Sequence, residues 1–277
     1  VSGNETSQRL IYQSDRYGFN NPDSEWDADE VVWLLTGDSY AEGLSVQPGE
    51  DIAGQLRTIT QESSISLGRS CNGPLMELAE LIEYAEAIKP KRVLWTYYEE
   101  NDLLHDLQRD KKNPLLMQYL KDGFSQNLID RQKEIDSMLE KYIVKALAKA
   151  ETEAQMETSL IYKTRWIRLQ IIRMMLFNEL EDAVVDIDPL FSTILTKAKA
   201  RVEAWGGKLY FVYLPEWSRY NNKVTSHDRF RKKAAVIDVV KELGIRVIDI
   251  HQEVFVDHRD PLALFPFRRA GHYNSDG

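Results

Sequence analysis

Residues 31–43, VVWLLTGDSYAEG, carry an apolar run, Val31 to Leu35, straight into Gly37-Asp38-Ser39 and then into residues suited to a helix. An uninterrupted run of this kind reads as a strand buried on both faces, the habit of a parallel sheet. Ser39 therefore falls at the C-terminal end of a strand and at the start of a helix. In open α/β sheets ligands bind at that edge, and the unpaired N–H groups of a helix start suit a developing oxyanion. The plainer reading of Ser39 is a serine that merely caps a helix.

Working outward, four more runs read as strands: Ser64 to Leu67, Arg92 to Tyr97, Lys208 to Leu214 and Arg246 to Ile250. Helical periodicity fills the gaps. Pro74 to Lys89 has apolar residues at helical spacing and ends before Pro90, and Ser226 to Leu243 repeats the pattern and stops at Gly244. Alternating strands and helices predict an α/β fold of three layers, α/β/α, with about five parallel strands and right-handed crossovers. Between the third and fourth strands, residues 103–205 are almost wholly helical in pattern. Phe124 to Ala150 is charged with apolar residues three and four apart, whereas Tyr162 to Leu180 is more apolar. Residues 103–205 are expected to form a helical insertion or cap within a single domain spanning 1–277.

The composition narrows the partners. With 277 residues, 43% hydrophobic and 29% charged, the chain has the makeup of a soluble globular protein. Its formal charge of −9 argues against nucleic acid, which needs a concentrated basic surface. A single cysteine, Cys71, rules out an intrachain disulfide and a multi-cysteine metal site. No apolar run approaches the roughly 18 residues that cross a bilayer. The chain begins at Val1 and stops at Gly277 inside what looks like a motif, so natural ends beyond both are expected, with a signal or membrane anchor outside the chain.

Set in order along the chain, three short blocks resemble the SGNH (GDSL-like) hydrolases. Gly37-Asp38-Ser39 resembles the nucleophile block, Tyr98-Glu99-Glu100-Asn101-Asp102 the block with an oxyanion-hole asparagine, and Gly271-His272-Tyr273-Asn274 the histidine block. The second block of the family supplies a glycine N–H to the oxyanion hole. Here Ser66 to Pro74 stands in its place, with Cys71 at the usual glycine and Gly68 and Gly73 on either side. The resemblance implies a flavodoxin-like sheet, Ser39 as nucleophile and His272 as general base. It also implies an oxyanion held by the Ser39 N–H, a backbone N–H near Cys71 and the Asn101 side chain, with no cofactor and no metal.

One departure stands out. The family commonly carries an aspartate two or three residues before the histidine, where this chain has Ala270 and Arg269. Asp260, Asp257 and Asp276 are the alternatives, with Asp260 first; a Ser-His dyad, or a decayed site, is the other resolution. The opening segment Tyr12 to Pro22 looks like the lead-in of membrane-anchored bacterial relatives that modify cell-surface polysaccharide or lipid, which points to a cell-envelope location. The resemblance thus implies an esterase that removes an O-acyl group, acetyl above all, from a carbohydrate or small ester. An O-acyltransferase acting on a cell-surface polysaccharide and a non-catalytic carbohydrate-binding module are the competing readings.

Several other clusters have bland readings. Glu99, Glu100 and Asp102 on one loop do not face each other as glycosidase carboxylates would. His251, Asp257 and His258 lack metal-ligand spacing and read as solvated polar residues. Cys71 reads as a small buried residue, Arg229 to Lys233 as the wet face of a helix, and Trp166 to Phe177 first as a buried helix, with a membrane-surface helix or an acyl-chain groove as the alternatives.

Overall fold

The structure, a computed structural model, describes residues 10–147, 187–221 and 227–277, the side chains of 227–231 excepted. Five strands form one parallel sheet: β1 (Trp33–Thr36), β2 (Ser64–Ser66), β3 (Arg92–Tyr98), β4 (Lys208–Leu214) and β5 (Arg246–Asp249), in the order β2-β1-β3-β4-β5. This is the flavodoxin-like order. All five coincide with the apolar runs read from the sequence, within two residues at either end. The register aligns Leu34 with Ile65 on one side and with Val93 on the other, so the centre of the sheet is aliphatic and dry.

The helices between the strands are α1 (Ser39–Glu42), α2 (Ile52–Thr60), α3 (Pro74–Glu80), α4 (Leu107–Asp110), α5 (Pro189–Ala204) and α6 (His227–Glu242). Their ends follow from local chemistry. Asp51 accepts the Gly54 N–H at 3.0 Å and starts α2, while Asp188 accepts the Leu190 N–H and Pro189 opens α5. The Pro74 to Lys89 helix forms as read, with a π-turn at Leu81–Ala85 before its last turn, Glu86–Ile88.

Side chains alternate across the sheet and define the two outer layers. Tyr97 and Phe211 meet Phe191 of α5, with ring centroids 5.9 and 6.2 Å apart; α3 and α6 pack beside α5. On the opposite face Leu94, Tyr98, Val212 and Leu214 pack with Ala53 of α2 and with Phe255, Leu264, Phe265 and Tyr273 from the end of the chain. Each such aromatic or leucine, fully buried, is worth about 1.5–3 kcal/mol.

The opening segment closes one edge of the sheet. Asn21 donates to the Ser66 carbonyl and accepts the Ser66 N–H, both at 2.8 Å, which satisfies the outer side of β2. Asp15 holds Asn21 and Trp26 in turn, at 2.8 Å each.

The chain divides into two compact units, Val1–Gln126 with Val185–Gly277, and Asn127–Val184. Within residues 103–205, α4, a short 3-10 helix at Leu116–Leu120 and α5 belong to the first unit, with the sheet. In the second, residues 132–147 are helical, in agreement with the pattern from Phe124 to Ala150. Tyr162 to Leu180, with its Trp166 to Phe177 stretch, lies outside the described residues. Among those described, no helix is long and apolar enough to cross a membrane.

Candidate active site

The order β2-β1-β3 means that the chain leaves β1 in one direction and returns past it in the other. The crevice of such a sheet opens at the C-terminal ends of those strands. There the chain places Gly37-Asp38-Ser39 after β1 and Glu99-Glu100-Asn101-Asp102 after β3.

Gly37 makes the turn. A side chain at this position would fall on the Thr96 hydroxyl of β3, which itself donates to the Thr36 carbonyl at 2.9 Å. Only glycine lets β1 turn this close to its neighbour. Asp38 then caps α1 by accepting the Tyr40 N–H at 2.9 Å, and Ser39 takes the first helical position, where its N–H has no intrahelical acceptor.

His272 reaches Ser39 from the far end of the sequence. Its Nε2 lies 2.6 Å from Ser39 Oγ. The imidazole is half-buried, and burial holds it below the ordinary histidine pKa, while Glu42 and Glu100 pull weakly the other way. A neutral imidazole with its nitrogen on a serine hydroxyl is the arrangement of a general base and its nucleophile. Among the described residues, Nδ1 of His272 has no hydrogen-bond partner.

The acid expected to orient His272 is elsewhere. Asp260 forms a two-pronged ion pair with Arg268, Nη2 to Oδ1 at 2.9 Å, so it is not the third member of a triad. Asp260 lies on the approach to His272 in sequence, but the Arg268 guanidinium claims it. Neither Asp257 nor Asp276 bonds to His272. Asp276 does line, with Tyr40, Leu44, Ile52, Gln55 and His272, a pocket of about 330 Å3 beside the imidazole.

The expected oxyanion donors are variously engaged. Gly68 donates its N–H to Ser66 Oγ at 3.1 Å, and a side chain there would strike Ala41 and the Glu42 N–H of α1. The glycine therefore serves close packing against α1, behind Ser39. Gly73 caps α3. Cys71 takes a left-handed φ of +67°, the conformation glycine ordinarily supplies, which fits its place in the block. The thiol is exposed rather than buried as read, and the Cys71 carbonyl accepts Arg109 Nη2. Asn101 donates Nδ2 to Asp106 Oδ2 at 2.7 Å, while its buried Oδ1 finds no partner.

Behind Ser39 sits a group of buried carboxyls. Asp38 is pushed up to about 6 by burial, against the opposing hydrogen bonds of the Tyr40 N–H and the Asn101 amide. Glu77 and Asp102 are driven well above the usual carboxylate range, first by burial, and then Glu77 by Asp102 and Asp38, and Asp102 by Asp38. Both oxygens of Glu77 are unpaired. Burial of this kind favours the protonated carboxyl.

The residues missed in the sequence are Tyr40, whose hydroxyl donates to the Gly271 carbonyl at 3.1 Å, and Asp106, which holds Asn101. Tyr40 had one available signal, its position next to Ser39. His251, read as solvated, has its Nδ1 2.8 Å from the Tyr220 hydroxyl; Lys233, read as part of a wet face, pairs with Asp249 at 2.7 Å over the Tyr213 ring. Among the described residues no group of acids, histidines or cysteine could hold a metal ion.

No family model and no curated protein matches this chain. Among solved structures it is similar to a lipase/acylhydrolase from Enterococcus faecalis, at 13% identity over 88% of this chain and 87% of that one, with a TM-score of 0.44. A likeness so distant carries no weight of its own. The chemistry is read from Ser39, His272 and their neighbours.

Proposed function

We propose that the protein is a serine ester hydrolase of the SGNH class that removes an O-acyl group, acetyl above all, from a carbohydrate or small ester. The observation that carries this reading is the 2.6 Å approach of His272 Nε2 to Ser39 Oγ at the C-terminal end of β1.

The steps balance with these two residues alone. Ser39 Oγ attacks the ester carbonyl as its proton passes to Nε2. The tetrahedral oxyanion collapses, the C–O bond to the alcohol breaks, and the imidazolium returns the proton to the departing alkoxide. Water then repeats the cycle on the acyl-serine and releases the carboxylic acid. The Ser39 N–H, without a helical acceptor, is the donor best placed by its backbone to meet the oxyanion.

A carbohydrate acceptor and a bacterial envelope location are supported only by the resemblance of Tyr12 to Pro22 to envelope-associated relatives. The test is p-nitrophenyl acetate hydrolysis by the wild type, Ser39→Ala and His272→Ala, with and without a soluble oligosaccharide. Turnover lost in both variants supports the acyl-enzyme, and acetylated oligosaccharide formed at the expense of acetate assigns a transferase instead. A wild-type rate equal to that of Ser39→Ala removes the catalytic reading.

A further inference from the structure

His272 lacks the carboxylate that orients the base of a triad, yet its imidazole is set on Ser39. Something else must fix it. The chain after His272 is tied at three points: the Tyr273 hydroxyl donates to the Pro215 carbonyl at 2.6 Å, the Asn274 N–H to Leu264 O at 3.0 Å, and Asn274 Nδ2 to Ala263 O at 2.9 Å. They run to Pro215, just after β4, and to Ala263 and Leu264, and none of the three reaches Ser39.

Before His272 the backbone is strained. Phe267 and Arg268 are both left-handed, with φ of +53° and +57°, a conformation that bulky residues keep only where the surroundings impose it. Arg268 is held by Asp260 and by Trp217, whose Nε1 donates to the Arg268 carbonyl at 3.1 Å. Three residues on, the Gly271 carbonyl accepts the hydroxyl of Tyr40. The Tyr40 ring also lies 4.8 Å from the imidazole, inclined at 47°.

Tyr40 is the residue after Ser39. It is buried, with its ring 4.3 Å from Tyr98 of β3 and 4.8 Å from Tyr273, so from the helix of Ser39 it packs against both the sheet and the chain beside His272. One side chain therefore joins the nucleophile's backbone both to the carbonyl before the base and to the face of the base. We propose that Tyr40 is the positioning residue that sets His272 against Ser39, in place of a triad carboxylate; this rests on the reading of Ser39 and His272 as the catalytic pair.

The role separates from simple packing. In Tyr40→Phe the ring keeps its aromatic contacts, the exposed Gly271 carbonyl turns to water, and the Tyr98 hydroxyl, which also meets that of Tyr40, keeps Glu100 at 2.9 Å, so the fold loses little. What is lost is the register of base and nucleophile. Misplacement on the scale of an ångström costs up to about a hundredfold in rate.

The experiment compares wild type and Tyr40→Phe in three ways: kcat and KM on p-nitrophenyl acetate, thermal midpoint, and the His272 imidazole titration by NMR, assigned with His272→Gln. The expected result is a kcat lower by about ten- to a hundredfold with KM within about twofold. The thermal midpoint should hold, and the His272 titration should move up toward the ordinary value as water reaches the loosened ring. A wild-type kcat together with a wild-type titration overturns the proposal. So does a loss of turnover that only follows loss of folded protein while the titration stays put. If the wild type turns over no faster than Ser39→Ala, it is the catalytic reading that has failed, and the titration alone decides: a moved midpoint supports the hold of Tyr40, an unmoved one overturns it.

Discussion

His272 Nε2 sits 2.6 Å from Ser39 Oγ across 233 positions of sequence. Burial is the main influence on that imidazole and it favours the neutral form, lowering the pKa from 6.5. As the proposed base His272 works only unprotonated, so kcat/KM should fall as pH drops through its pKa in the free enzyme. Because that pKa is depressed, the acid limb should lie below pH 6.5, leaving the rate flat from there to neutrality. A pH profile of kcat/KM between 4 and 8 checks this; a limb centred above 6.5 would mean that an unseen carboxylate raises the imidazole.

Asp260 gives a sharper division. As a triad acid its loss should cost on the order of 10⁴ in rate. Paired with Arg268 on the surface, it should cost far less. Asp260→Asn is expected to keep kcat within about tenfold and to lower stability by less than about 1 kcal/mol, as for other exposed ion pairs. Steady-state kinetics beside a thermal melt distinguishes the two roles.

Asn101 stands between two acids, with its amide on Asp106 and lowering Asp38. One of its two N–H groups is held by Asp106, which fixes the plane of the amide. The amide also hydrogen-bonds Asp38; if that N–H turns to the oxyanion when substrate binds, Asn101→Ala should lower kcat by about a hundredfold at little change in KM. An unchanged kcat would leave Asn101 as a spacer between carboxyls.

The sheet was legible because parallel strands, dry on both faces, are written as continuous apolar runs; Lys208 to Leu214 matches β4 residue for residue. Ser39 was legible for the same reason, since the end of β1 fixes where its backbone goes. Side-chain partners were not. Asp260 ranks first among the candidate acids for His272, and nothing in sequence spacing says that Arg268 claims it. Asn101 was placed on the correct loop, but the turn that brings Asp106 back onto it depends on a π-turn at Asp102–Asp106 that periodicity does not reveal. Cys71 was read as buried from its residue type, whereas its left-handed backbone belongs to an exposed turn. What sequence conveys is the path of the chain; the site also depends on which of several polar neighbours wins.

Glu77 tests how the buried acids are kept. Its side chain is fully buried with both oxygens unpaired, beside Asp102, Asp38, Glu80 and Asp110. Unfolded, it titrates near 4.5; folded, it holds its proton to higher pH. Between those two values the native state binds more protons than the unfolded chain, so stability declines as pH rises, by at most about 1.4 kcal/mol per pH unit. Glu77→Gln removes that dependence while keeping the shape. Its stability relative to wild type should therefore grow from pH 5 to pH 8, and the difference should flatten below about pH 4, where both chains carry a neutral group. Urea unfolding at several pH values measures it. A gap that does not change with pH would mean that Glu77 is ionised in the fold, and with it the acids around Asp38.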